Sequence, residues 1–311
     1  MNNILVITGA RGIGDLIYQL PLLRSLYLTY KTKLILVSNK VNKAKDVYKH
    51  EDFYDEIIEF DHTRYSTIKT IGKIKYFLDL INRYNSDLTI LTSNTTRLML
   101  PVYFSNSKNK IIFGTKKFFI FKDKTNNYLT SSEKIILYTK NLNLKFNDSS
   151  FFLNSKKIKV IKTQDNEQKK VFINIDSHHD QNNWGIDNFI DIIEQLLINK
   201  IKIFINFSPS KTHIFKNILS KFSNNNEISY THKKNISELI EIINYCDVIV
   251  GNESGPICLG ASLKKEVHSI YIPIHTRPES QVISKNINYY NTNLITQKVI
   301  ISKILNSIMS R

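Results

Sequence analysis

The chain has 311 residues, 42% of them apolar and 23% charged, the balance of a folded protein, and at roughly 100–200 residues per domain its length suits two domains. The net charge of +16 draws it toward anions, yet arginine is scarce, and the lysine, asparagine and isoleucine content is equally well explained by an AT-rich genome. No arginine-rich, aromatic-interleaved stretch speaks for nucleic acid, Cys246 and Cys258 make neither a disulfide framework nor a metal site, and no run of 18 apolar residues marks a membrane span.

Elements follow in chain order. Ile4-Leu5-Val6-Ile7 reads as a buried strand ended by a glycine-rich turn, and residues 16–30 carry apolar side chains at helical spacing. Strands are predicted at 34–37, 56–60 and 88–91, with a helix at 68–84. The polar stretch 154–170 interrupts this rhythm and reads as the join between domains spanning 1–160 and 161–311. The rhythm restarts with a strand at 171–175, a helix at 187–199, a strand at 201–206, a helix at 212–222 and a strand near 227–230. A helix at 236–244, capped by Asn235 or Ser237, precedes a strand at 248–250 and a helix at 256–263. The last clear strand is 267–271, and 297–309 is a terminal helix. Strands alternating with helices of this length imply βαβ units and parallel sheets, an α/β fold. The N-terminus reads as a first strand with no secretory leader, so a cytoplasmic location is the expectation.

Two turns carry chemistry. In the first, Gly9-Ala-Arg-Gly12-Ile-Gly14-Asp15 joins the first strand to the first helix. Glycines let the chain reverse tightly, and a helix N-terminus attracts anions. Asp15 either complements the helix dipole or acts as a base. The same turn resembles the cofactor loop of short-chain dehydrogenases, but the second strand ends in Ser38-Asn39, without the carboxylate expected for a ribose hydroxyl. Tyr27/Lys31 and Tyr65/Lys69 also come too early for that family's Tyr-x-x-x-Lys pair. In the second turn, Gly251-Asn-Glu253-Ser254-Gly255-Pro256-Ile-Cys258 follows a buried strand and opens a helix. Proline suits the first helical turn, and the free N–H groups there suit a diphosphate.

Both turns resemble glycosyltransferase family 9, the heptosyltransferase-like family. Gly-Ile-Gly-Asp-Leu-Ile-Tyr-Gln-Leu-Pro-Leu-Leu-Arg-Ser-Leu (residues 12–26) is similar to the family's opening, whose aspartate, the expected general base, maps onto Asp15. Residues 251–263 resemble the family's Gly-Asn-Asp-Ser-Gly-Pro-x-His motif, with Glu253 for the aspartate and Cys258 for the histidine. Residues 174–189 resemble its donor-facing loop. Trp184 and Phe189 match that framework, and Asn182 stands where the family has a lysine.

The resemblance implies the GT-B architecture, two Rossmann-like domains facing across a cleft, with the terminal helix packing back on the first. It implies inverting transfer of a sugar, a heptose among the candidates, from an ADP-heptose-like donor to an anionic glycan or glycolipid, at or near the inner face of the cytoplasmic membrane. Ser177, His178, Asn182, Glu253, Ser254, Gly255 and Cys258 are the expected donor-binding residues, and Gly12 and Gly14 form the turn near the acceptor. No cofactor, metal or nucleic acid is expected, and no Asp-x-Asp pair occurs. A loop metal at Asp176, His178, His179 and Asp180 is an alternative reading. The departures at Glu253, Cys258 and Asn182 also fit a non-catalytic member that binds nucleotide or glycan.

Overall fold

The computed structural model describes residues 1–10, 12–61, 70–93, 96–113, 131–145, 151–161, 168–177, 182–272, 283–284 and 287–310. The chain divides into two compact units, Met1–Leu153 and Asn154–Arg311.

In the first unit, strands β1 (Ile4–Ile7), β2 (Leu34–Asn39), β3 (Tyr54–Phe60), β4 (Leu88–Leu91) and β5 (Asn109–Ile112) form one sheet in the order β3-β2-β1-β4-β5. All its pairings are parallel. The helices are α1 (Ile13–Tyr30), α2 (Ala44–Val47), α3 (Thr70–Tyr84), α4 (Thr96–Phe104) and α5 (Ser131–Asn141). A parallel sheet covered on both faces demands strands apolar on both sides, and β1 and β4 are buried at every position. On one face Leu5, Ile7, Val37 and Leu91 pack with Phe77, Leu80 and Ile81 of α3 and Val102 of α4. α1 buries an unbroken run from Leu16 to Leu23, including Pro21, and packs against α5.

In the second unit, β6 (Lys170–Asn174), β7 (Lys202–Asn206), β8 (Ile228–Tyr230), β9 (Val248–Asn252), β10 (Glu266–Tyr271) and β11 (Ile287–Asn291) form a parallel sheet in the order β11-β10-β9-β6-β7-β8. Its helices are α6 (Ile186–Ile198), α7 (Lys216–Lys221), α8 (Ile236–Tyr245), α9 (Gly255–Ser262) and α10 (Gln297–Met309). Read from β8 inward, this is the doubly wound Rossmann order, reversing direction between β6 and β9. The capping residue of α8 is Asn235: its side chain accepts from the Glu238 N–H while Glu238 accepts from the Asn235 N–H, satisfying two end groups reciprocally. The terminal helix α10, expected to pack back on the first domain, buries Ile300, Ile304 and Ile308 with Ile192 and Leu196 of α6 in its own unit's core.

Three expectations change. The helix expected at 212–222 shortens to α7, Lys216–Lys221, preceded by a 3-10 turn at Pro209–Lys211; Lys211 is drawn into an ion pair with Asp176, described below. The strand at 267–271 is not the last, because β11 lies parallel beside β10. Its sequence, Ile-Asn-Tyr-Tyr-Asn, lacks the continuous apolar run of a central strand. β5, Asn-Lys-Ile-Ile, escaped reading for the same reason, being an edge strand with exposed Asn109 at its start.

Candidate functional site

In the first unit the β1–α1 turn lies where the strand order reverses, between β1 and β4. The Gly9 N–H donates to Thr92 Oγ1 at 2.9 Å. A Cβ on Gly9 would fall 2.3 Å from Ser93 Cβ, so only glycine lets the turn pass the end of β4. Gly12 differs: its backbone is extended and an added Cβ would meet nothing within 4 Å. Nothing in its surroundings demands glycine there. Gly14 and Asp15 occupy the first turn of α1, and Asp15 is half-buried. Its negative charge sits at the positive end of the helix dipole. Behind it the buried Tyr48 hydroxyl donates to the Leu16 carbonyl at 2.7 Å. Burial and the nearby carboxylates of Glu51 and Asp15 push that phenol's pKa up, against Arg24, which lowers it. Tyr48 is therefore a neutral donor bracing the helix start.

In the second unit asparagines end three strands and link them. Asn206 Nδ2 donates to Asn174 Oδ1 at 2.8 Å, and Thr231 Oγ1 donates to Asn206 Oδ1 at 3.0 Å. Asn174 Nδ2 donates to the Asp176 carbonyl at 2.6 Å and to Ser254 Oγ at 3.0 Å. Asn252 Oδ1 accepts from the Trp184 N–H at 2.9 Å, and its Nδ2 donates to the Ile175 carbonyl at 3.1 Å. These bonds tie the loops after β6 and β9 together at the C-terminal edge of the sheet, where ligands of such folds sit. At Gly251 a Cβ would stand 2.3 Å from the Asn174 carbonyl oxygen, so glycine permits the two strands' close approach.

Ser254 precedes α9 in extended conformation and does not cap it. Its hydroxyl donates to the Asn252 carbonyl at 2.7 Å and accepts from Asn174. With no side-chain cap, and with Pro256 contributing no N–H, the first-turn N–H groups of Gly255 and Ile257 have no acceptor among the described residues and suit one from outside. Glu253 is held to β10: its N–H donates to the Ile270 carbonyl at 3.0 Å, and its Oε2 accepts from Ser269 Oγ at 2.5 Å. Cys258 is buried within α9, a small core residue behind the turn.

The loop after β6 is organised by Asp176. Its Oδ1 accepts from Lys211 Nζ at 2.8 Å and its Oδ2 from the Ser208 N–H at 3.1 Å, and the same ammonium reaches the Ser177 carbonyl at 2.7 Å. The pair is largely buried, so the carboxylate has its counter-charge within the protein. Ser177 is buried beside it. Asn182 Oδ1 and Trp184 Nε1 are buried without hydrogen-bond partners. His178, and with it His179 and Asp180 of the alternative metal reading, lie outside the described residues. Among the described residues no cluster of His, Cys, Asp or Glu fits a metal ion.

The asparagine linkage and the Asp176–Lys211 pair were not anticipated. A signal existed for the first: Phe-Ile-Asn closes both β6 and β7, and a polar residue ending an apolar strand marks the site edge of a parallel sheet.

Two Rossmann-like units of this topology place the chain in the GT-B fold class. Residues 124–298 match the profile of glycosyltransferase family 9 (heptosyltransferase), more than half of the chain, and the protein belongs to that family. The short-chain dehydrogenase alternative is thereby overturned. No curated protein matches the sequence.

The fold is similar to that of the family 9 glycosyltransferase from Veillonella parvula, at 14% identity and a TM-score of 0.78, covering 100% of this chain and 99% of that one. It is also similar to E. coli heptosyltransferase WaaC in complex with ADP, at 15% identity, TM-score 0.74 and coverage of 97% and 99%. For E. coli ADP-heptose lipopolysaccharide heptosyltransferase II the values are 14%, 0.72 and 99% of both chains. Among the described residues no helix is long and apolar enough to cross a membrane.

Proposed function

We propose that this family 9 glycosyltransferase transfers a heptose-like sugar, with inversion, from an ADP-linked donor to an anionic surface glycan or glycolipid of the lipopolysaccharide type. The observation that carries the reading is the start of α9, where Ser254 leaves the helix uncapped beside the Asn174–Gly251 contact. The leaving diphosphate is then met by the N–H groups of Gly255 and Ile257, with Ser254, Ser177 and Asn182 around it. Stabilising the charge that develops on a leaving group is commonly the largest catalytic contribution. Asp15 takes the proton of the acceptor hydroxyl, in a turn whose Gly12 leaves room for the acceptor. Similarity to a heptosyltransferase described with ADP supports the donor class. An acceptor at the inner face of the cytoplasmic membrane suits the basic charge.

The test is a panel of nucleoside-diphosphate sugars with a truncated lipopolysaccharide core as acceptor. Turnover of ADP-heptose with inversion at the anomeric carbon is expected. Selective turnover of a uridine or guanosine donor would replace the donor assignment.

A second reading, a member that binds without turnover, is favoured by one observation. Glu253, standing for the family's aspartate, has its Oε2 engaged by Ser269. Tight nucleotide binding with neither transfer nor donor hydrolysis would select it.

A further inference from the structure

We propose that Lys211 is a positioning residue for the donor: from the turn after β7 it fixes the loop after β6 and cancels the Asp176 carboxylate, which would otherwise repel a diphosphate. The proposal rests on the donor site assigned above, at the start of α9. It adds a residue that lies outside the two turns carrying the family's sequence words.

The geometry is that of a clamp. Lys211 closes the 3-10 turn that follows β7. Its Nζ donates to Asp176 Oδ1 at 2.8 Å and to the Ser177 carbonyl at 2.7 Å, while the Ser208 N–H holds Asp176 Oδ2 at 3.1 Å. One short turn thus grips two successive residues of the loop after β6, by side chain at the first and by backbone at the second. The Asp176 carbonyl is held as well, by Asn174 Nδ2, and the same amide donates to Ser254 Oγ. A continuous chain of hydrogen bonds therefore runs from Lys211 through Asp176 and Asn174 to the residue ahead of α9. With the carbonyls of Asp176 and Ser177 both held, the two planar peptide units flanking Ser177 are fixed. Ser177 is 5% exposed, and with its carbonyl on Lys211 the groups it can offer a ligand are its N–H and its hydroxyl.

Charge is the second part of the role. The side chains of Asp176 and Lys211 are 3% and 17% exposed, so solvent and salt screen them little. Asp176 and Ser254 are bridged by a single amide nitrogen, which puts the Asp176 carboxylate close to any anion seated at the start of α9. Two negative charges at that range, in a site largely closed to water, repel strongly. The ammonium of Lys211 turns this residue pair neutral. Glu253, the other carboxylate beside Ser254, is drawn toward β10 by Ser269 Oγ.

A lysine that merely joined two loops would behave differently. For such a strut, removing either partner of the pair loosens the same contact and weakens the site in the same direction. For a residue that sets the charge of an anion site, removing the cation and removing the carboxylate act in opposite directions on a bound diphosphate. That difference can be read by binding alone, whether or not the chain turns a donor over.

The test is calorimetric titration of the full chain with ADP. Lys211→Met should raise the dissociation constant at least about tenfold, the scale of a lost hydrogen bond to a charged group. Lys211→Arg, whose guanidinium keeps the charge, should recover most of that loss. Asp176→Asn should bind ADP as tightly as the native chain or more tightly, because the ammonium is then uncancelled. Removing one partner of a buried pair can unfold a protein, so Asp176→Asn/Lys211→Met, which buries neither charge, is the second variant. Having lost the hold on Ser177, it should bind ADP at least about fivefold more weakly than the native chain. Melting curves identify the variants that fold. Native-like ADP binding by folded Lys211→Met or by the double variant would overturn the proposal, and so would equal losses from Lys211→Met and Asp176→Asn. In those cases the native chain still binds ADP and the donor assignment stands. No binding of ADP by the native chain would overturn the donor assignment itself, and the role of Lys211 with it.

Discussion

Asp15 and Gly251 show how differently the candidate residues of the two units are specified. Asp15 is half-buried in the first turn of α1, where an amide of the same shape fits and loses the charge's favourable interaction with the helix dipole. Asp15→Asn is expected to preserve folding and nucleotide affinity while lowering kcat about 10²–10⁴-fold, the usual worth of a general base. Activity within a few-fold of the native enzyme would take Asp15 out of that role. Gly251 is constrained by the fold itself. Gly251→Ala places a methyl 2.3 Å from the Asn174 carbonyl and must push β9 from β6. Unfolding free energy should fall by about 3 kcal/mol, the upper end for overpacking, and donor affinity should fall with it. A loss below about 0.5 kcal/mol in chemical denaturation would show that the strands yield freely. Both residues stand in recognisable sequence words. The contact that makes Gly251 obligatory was not legible, because Asn174 is 77 residues away.

At the scale of elements, β10, β11 and α10 are joined by a buried polar chain. His268 Nδ1 lies 2.8 Å from the Tyr290 hydroxyl and its Nε2 lies 3.1 Å from Glu266 Oε1. Glu266 Oε1 also accepts from Ser307 of α10. Burial first, and then the Glu266 carboxylate, push the Tyr290 phenol up to about 12. In the unfolded chain a tyrosine releases its proton near pH 10. Between about pH 10 and 12 the unfolded state therefore binds fewer protons than the native one, and stability falls as pH rises. This contribution is fully present below pH 10 and lost by about pH 12. The native protein should lose stability more steeply across that window than Tyr290→Phe, measured as the slope of unfolding free energy against pH. Equal slopes would remove Tyr290 as the source. α8 and α10 were readable because each carries an apolar stripe at helical spacing, and Asn235-x-x-Glu238 signals a helix start. β11 was not, since its residues become a strand only by pairing with β10.

At the scale of the molecule, the chemistry is expected to run without a metal ion. In the proposed mechanism helix N–H groups meet the diphosphate charge, and the carboxylate best placed to bind a cation, Asp176, is neutralised by Lys211 at 2.8 Å. Exhaustive chelation should leave the transfer rate unchanged, with no metal found by elemental analysis. A loss reversed by one particular divalent ion would overturn both the leaving-group assignment and the role given to Asp176.

The sequence by itself determined the two α/β halves, the glycine turns and the family. Apolar strand runs, helical spacing and turn residues are local properties, and the family's words are contiguous. The tertiary structure decided what pairing alone can decide. It brought Phe-Ile-Asn of β6, Phe-Ile-Asn of β7 and Gly-Asn of β9 to one edge, linking Asn174, Asn206, Asn252 and Ser254 across up to 80 residues of chain. It spent the Ser254 hydroxyl on that linkage rather than on a helix cap. It matched Asp176 to Lys211, 35 residues on. Hydrogen bonds and ion pairs between distant segments depend on strand order and register, which hydrophobic periodicity does not encode.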